Sequence, residues 1–301
     1  MSNDVASDTA TAVAIVNIDD YSQVDLTMSQ KAISFLPLGI LAFATTTIVA
    51  AYKVTFASGV LDFQHGRVTT PPISMLMFAG PGRIMGQIGF PAVSALFGFV
   101  GPTFFQHLSQ AITYVNGSER RHTFLQWSLK GTSLIGFLCL AIVGIIPLQE
   151  DLELVIKRQI PIRWDSILHQ SAAGVFFFCG ILHMGLWLAL TMTCHPTLPI
   201  HYTQSPKSFR LKLLCFFLCF FPLPTAFLLH PISPIRKKLS LNSQDAGGIT
   251  QYALVACVST FFASYSCELW SLQQFTQRIT QMQKQIKEAT AKVAVETKKS
   301  K

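Results

Sequence analysis

The chain has 301 residues, half of them hydrophobic, with Phe 24 and only 13% charged, and its mean hydropathy is +0.42. Soluble domains carry about a quarter charged residues, so this composition excludes an ordinary soluble enzyme. The net charge is +8, but the basic residues lie outside the apolar stretches, which implies anionic lipid headgroups and not nucleic acid as partners.

Residues 1–30 are polar and acidic, with Asp4, Asp8, Asp19, Asp20 and Asp25. No basic segment leads to a small-residue cleavage site, so no removable signal is expected, and this stretch reads as a disordered cytosolic N-terminus. The first apolar run, 33–54, is long enough to span a bilayer, with Lys53 placed to snorkel to its edge. A Gly- and Pro-rich loop follows, holding His65, Arg67, Pro71-Pro72-Ile73-Ser74 and Arg83. The second span, 84–115, contains Pro91 and Pro102, which should kink it, and Ser94, Gly98 and Gly101, which suit close helix contact.

The third span, 131–148, carries Gly136 and Gly144 as helix-packing positions. A charged loop with Glu150, Asp151 and Asp165 leads to the fourth span, 169–193. At 3.6 residues per turn, His169, Ala172, Ala173, Phe176, Gly180, His183 and Trp187 fall on one stripe. Val175, Phe178, Ile181, Leu182, Leu186 and Ala189 cover the rest. Small and polar residues pack against neighbouring helices and bulky apolar ones face lipid, so the stripe should face a helix bundle. After a polar connection at 194–212, the fifth and sixth spans read as 213–229 and 249–270.

The tail, 271–301, is basic. Leu272, Phe275, Ile279, Met282, Ile286, Ala289 and Val293 recur at spacings of three and four, a heptad-like stripe expected to continue the sixth span into water. A protein partner or a second copy could use 272–293. Lys298 and Lys299 resemble a dilysine retrieval signal, an address and not an anchor. The seven cysteines lie in or beside apolar stretches, with no disulfide framework and no zinc spacing.

His169 and His183 share a face but stand about 21 Å apart along it, so they cannot hold one metal ion. No metal or cofactor motif is present. His169, at the mouth of the bundle, could work with a loop carboxylate as an acid–base pair, or could be a histidine hydrogen-bonded at a helix start. His183, in mid-membrane, is either functional or bonded to a neighbouring helix. Glu268, with His183 the other polar intramembrane residue, stands near the cytosolic end of the sixth span and reads first as a carboxylate reaching the headgroups. Signatures of serine hydrolases, kinases and zincins are absent.

The order of elements resembles the Frag/DRAM/Sfk six-span membrane proteins, which include damage-regulated autophagy modulators, the Cwh-type N-terminal domain and post-GPI attachment factor 2. Three stretches carry the resemblance: SLKGTSLIGFLCLAIVGIIPLQED, HQSAAGVFFFCGILHM and TPPISMLMFAGPGR. Met75 and Pro81-Gly82 stand where that family has an acidic residue and a Pro-Glu pair, and Cys257 to Thr260 where it has a mid-helix Glu.

The resemblance implies an all-α polytopic bundle, six spans over 31–270, followed by the tail helix. It also implies lipid handling in the secretory pathway, GPI-anchor lipid remodelling in the ER and Golgi first. The alternatives are a modulator of autophagy or phosphoinositide signalling at endolysosomal or plasma membrane, and an intramembrane hydrolase or acyltransferase using His169.

The loop charges favour both termini on the cytosolic side. A glycosylation acceptor placed within 150–165 should therefore be modified in cells, and Asn116 of the native Asn116-Gly117-Ser118 sequon should not. Glycan on Asn116, read as an endoglycosidase-sensitive mobility shift, would reverse the orientation.

Overall fold

The computed structural model describes residues 26–59, 70–77, 80–116, 120–146, 148, 161, 163–194, 206–220 and 243–299. Eight helices account for nearly all of them. These are α1 (Met28–Ala57), the single turn α2 (Ile73–Leu76), α3 (Gly80–Asn116), α4 (Arg120–Ile145), α5 (Trp164–Cys194), α6 (Pro206–Leu218), α7 (Ser243–Ala263) and α8 (Tyr265–Lys299). Five helical stretches are long and apolar enough to cross a membrane: α1, most of α3, most of α4, α5, and α7 with α8 as one run. The fold is thus an all-helical, multi-pass membrane bundle.

Local chemistry explains the helix ends. A capping box starts α1: the Gln30 amide donates to the Thr27 hydroxyl, and the Gln30 side chain accepts from the Thr27 amide. It adds more than a turn before the first apolar run. Pro206 opens α6, where a proline's missing N–H costs no helix bond. The helix α3 continues through both Pro91 and Pro102. Of the expected fifth span, the described part is α6, 13 residues long, and 221–229 lie outside the described residues.

Helix α4 packs most extensively on α5, α3 on α4, and α1 on α3, while α8 closes back on α1 and α3. Polar side chains bridge that closure, with Ser34 donating to Gln273 at 2.8 Å and Gln277 to Gln30 at 2.6 Å. The α5 stripe is buried where expected, at His169, Ala172, Gly180, His183 and Trp187, and Val175, Phe178, Leu182 and Ala189 are exposed.

The glycines show how closely the helices approach. A Cβ on Gly144 would lie 2.6 Å from the Pro91 ring and 2.9 Å from Phe90 Cβ, so α3 and α4 touch there nearly backbone to backbone. Gly136 and Gly180 make looser contacts, 3.4 Å to Cys179 and to Val258.

The Thr70-Pro71-Pro72-Ile73-Ser74 stretch is clamped onto the start of α7. The Thr70 amide donates to Asp245 at 2.5 Å and the Ile73 amide to Gln251 at 3.0 Å. A Cβ on Gly248 would collide with the Thr70 carbonyl, which is why this approach requires glycine.

The tail stripe divides. Leu272, Phe275 and Ile279 are buried in the chain's own bundle, whereas Ile286 and Ala289 are exposed. Lys298 and Lys299 lie at the end of α8.

Candidate functional site

Two hollows among the described residues each have one of the α5 histidines in their wall, and the larger opens broadly past the exposed residues Gly98, Gln106 and Leu134. The larger, about 660 Å3, is bounded mainly by α3 and α4, with His183, Phe262 and Tyr265 behind. The smaller, about 110 Å3, has His169 in its wall and contacts α1, α2, α3, α4, α5 and α7. Phe97, Phe137 and Phe262 line both. Their rings form a mutually packed triad, Phe97 stacked on Phe137 at 4.3 Å and Phe262 edge-on to both at 5.5 and 5.3 Å. This triad separates the two spaces.

His183 is 1% exposed and fully engaged. Its Nε2 lies 2.7 Å from the Tyr265 hydroxyl. Its Nδ1 lies 3.1 Å from the hydroxyls of Thr132 and Ser133, and 3.3 Å from the Leu129 carbonyl. The Thr132 hydroxyl donates to the carbonyls of Ser128 and Leu129, so its oxygen can only accept from the ring. A carbonyl also only accepts. The network therefore assigns the proton to Nδ1 and makes Tyr265 the donor to Nε2. The imidazole also stacks on Phe262 at 4.9 Å.

Behind Tyr265 lies a buried ion pair. Lys212 Nζ is 2.7 Å from Glu268 Oε2, and both side chains are 0% exposed. Lys212 also donates to Ser264 at 2.5 Å and to Ser208 at 3.3 Å, and Ser208 donates to Glu268 Oε1 at 2.6 Å. The ammonium lies over the Tyr265 ring, 4.6 Å from its centroid. One contiguous cluster thus joins Glu268, Lys212, Tyr265, His183 and Ser133, from α8 through α6 and α5 to α4.

This corrects two expectations. Glu268 does not reach the headgroups, and Lys212 is not a loop charge of the 194–212 connection. The reason is physical: because α6 begins at Pro206, Lys212 falls on the helix's buried side, whereas Lys207 and Arg210 of the same helix are exposed. Two opposite charges in hydrocarbon are far less costly together than apart.

His169 is 1% exposed. Its Nδ1 lies 2.6 Å from the carbonyl of Ile146, one of the orphan acceptors at the end of α4. The partner is thus a backbone carbonyl and not the expected carboxylate or hydroxyl from a loop. Asp165 instead accepts from the Ser166 amide and pairs with Arg163 at 3.2 Å, in the first turn of α5 where the helix end favours an anion.

Arg83 is exposed on α3. His65, Arg67, Glu150 and Asp151 lie outside the described residues. Among the described residues no three His, Cys, Asp or Glu side chains gather as a metal site.

The site is that of a multi-pass helical membrane protein with a polar cluster beside an apolar cavity. A family model, the Frag1/DRAM/Sfk1/Cwh43P N-terminal domain, matches residues 32–272, and the chain belongs to that family. The family points to a membrane protein of the secretory or autophagy pathway. No curated protein and no solved structure matches the chain.

Removing one partner of the Lys212–Glu268 pair should leave an unpaired buried charge. Lys212→Met or Glu268→Met alone should each cost about 3–5 kcal/mol. The double variant should cost well under the sum, because a neutral pair suits hydrocarbon. Denaturant unfolding in detergent micelles measures this, and additive losses would show that the two residues are not coupled.

Proposed function

We propose that this protein handles a lipid within the bilayer, in the ER and Golgi, and that the process served is GPI-anchor lipid remodelling. The observation that carries the reading is the cavity of about 660 Å3 beside His183. Its size falls in the ~300–1,000 Å3 range of small-molecule sites. The walls are largely apolar, with Phe97, Val100, Phe104, Phe105 and Leu134, and this suits an acyl chain. Its polar groups are those of Gln106, Ser109, Gln110, Lys130 and Ser133, and His183, with both nitrogens bonded within the protein, forms part of the wall. Lys130 is held over the Trp127 ring at 4.9 Å and supplies a cation for a lipid phosphate. Gly98 and Gly101 line this cavity, and a Cβ at either would meet nothing within 4 Å.

The basic residues of α8, Arg278, Lys284, Lys287 and Lys292, suit an anionic headgroup surface. The choice of GPI lipids over autophagy or phosphoinositide signalling rests on the resemblance to post-GPI attachment factor 2.

Deletion of the gene should lower GPI-anchored protein at the cell surface and leave autophagic flux unchanged. Gly101→Phe fills open space without a clash at its Cβ, so it should express and locate normally yet fail to restore the surface signal. A change in flux alone would favour the autophagy reading. Full restoration by Gly101→Phe would remove the cavity from the account.

A further inference from the structure

The smaller cavity holds a hydrogen-bonding requirement that the His183 site does not use. His169 Nδ1 faces the Ile146 carbonyl at 2.6 Å. A carbonyl only accepts, so Nδ1 carries the ring proton, and Nε2 of the neutral imidazole is a bare acceptor. That Nε2 is buried and has no hydrogen-bond partner among the described residues. A buried acceptor left unmade is costly and is rarely tolerated in a packed interior.

The same cavity offers a complementary group. Gln251 Oε1 is taken by the Ile73 amide, so the Gln251 NH2 is what that side chain has left to offer. Ser74 and Ser259 add hydroxyls, and exposed Gln170 marks the mouth. Among the described residues all others that line the cavity are apolar, and none of them is Asp, Glu, Lys or Arg. A charged headgroup would find no counter-charge among the described residues of that wall.

We propose that the His169 cavity binds the free hydroxyl of an uncharged lipid alcohol. The hydroxyl donates to His169 Nε2 and accepts from the Gln251 amide or a serine. The adjoining carbons lie against Phe90, Val93, Leu140 and Phe176. At about 110 Å3 the space takes the hydroxyl end and not a whole lipid, so the body leaves at the mouth toward the bilayer. Diacylglycerol and sterol share this chemistry. The site is separate from the His183 cavity and does not depend on the GPI reading.

The test uses the full chain in phosphatidylcholine nanodiscs with photoactivatable diacylglycerol, sterol or phosphatidylcholine. One alcohol probe should label peptides from 169–177 or 251–262, and the phosphatidylcholine probe should not. Whichever alcohol labels identifies the source. Unlabelled alcohol should compete about tenfold better than its methyl ether, which cannot donate. His169→Leu should cut labelling about tenfold, and His169→Gln, whose amide oxygen still accepts, should stay within a few-fold of the native chain.

Ala173→Phe fills the cavity with His169 intact and should also abolish labelling, with folding checked by size exclusion. Absence of labelling by both alcohols, equal competition by the methyl ether, or unchanged labelling in a folded Ala173→Phe protein overturns the proposal. None of these outcomes bears on rescue by Gly101→Phe.

Discussion

The ion pair of Lys212 and Glu268 constrains everything around it. Both charges lie inside an apolar bundle with no exposed surface. Neither is tolerable in hydrocarbon without the other, so the short helix α6, which packs mainly on α7, must direct Lys212 and Ser208 toward Glu268 at the start of α8. That placement puts the Lys212 ammonium over Tyr265, and Tyr265 in turn donates to His183. With Tyr265 fixed, the ring of His183 is held from both nitrogens, between α8 and the hydroxyls of α4. The orientation of His183 in the wall of the larger cavity is therefore tied to a charge pair that does not line the cavity.

Glycine serves two opposite ends along α3. In its first half, Gly82, Gly86 and Gly89 have neighbouring atoms where a Cβ would go, and near Gly86 the α4 residue Gly144 completes a tight crossing. In its second half, Gly98 and Gly101 face open space. One helix thus fits closely against α1 and the Leu76–Met77 stretch through its own glycines, and against α4 through Gly144, at one end, and parts from α4 at the other. The cavity is the space this parting leaves, closed inward by Phe97, Phe137 and Phe262.

Much of the bundle was legible because lipid and protein select different residues along a 3.6-residue repeat. The α5 stripe is the clearest case: His169, Ala172, Gly180, His183 and Trp187 are buried, and Val175, Phe178 and Leu182 on the other face are exposed. The cluster was hidden for a different reason. Lys212 stands six residues from the start of its helix, next to a polar connection, and a lysine there ordinarily snorkels out. Glu268 was assigned to the headgroups by the same habit. A signal was present for Glu268, the one carboxylate of the sixth span, since a lone charge in such a run requires a partner.

Tyr265 as the partner of His183 is separated from it by 82 positions and left no local trace. Asp245 precedes the expected sixth span, and only the fold shows it clamping Thr70. The cavities themselves are properties of helix spacing, which no single stretch encodes.

The central claim, that the space between α3 and α4 beside His183 holds a lipid, is tested most directly by imaging the protein in lipid nanodiscs by electron cryo-microscopy. An occupied site gives an elongated density running along Gly98 and Gly101 toward Ser133 and His183, its polar end near Lys130. A map in which side chains of α3 and α4 close over that space, or in which it holds ordered water alone, would contradict it.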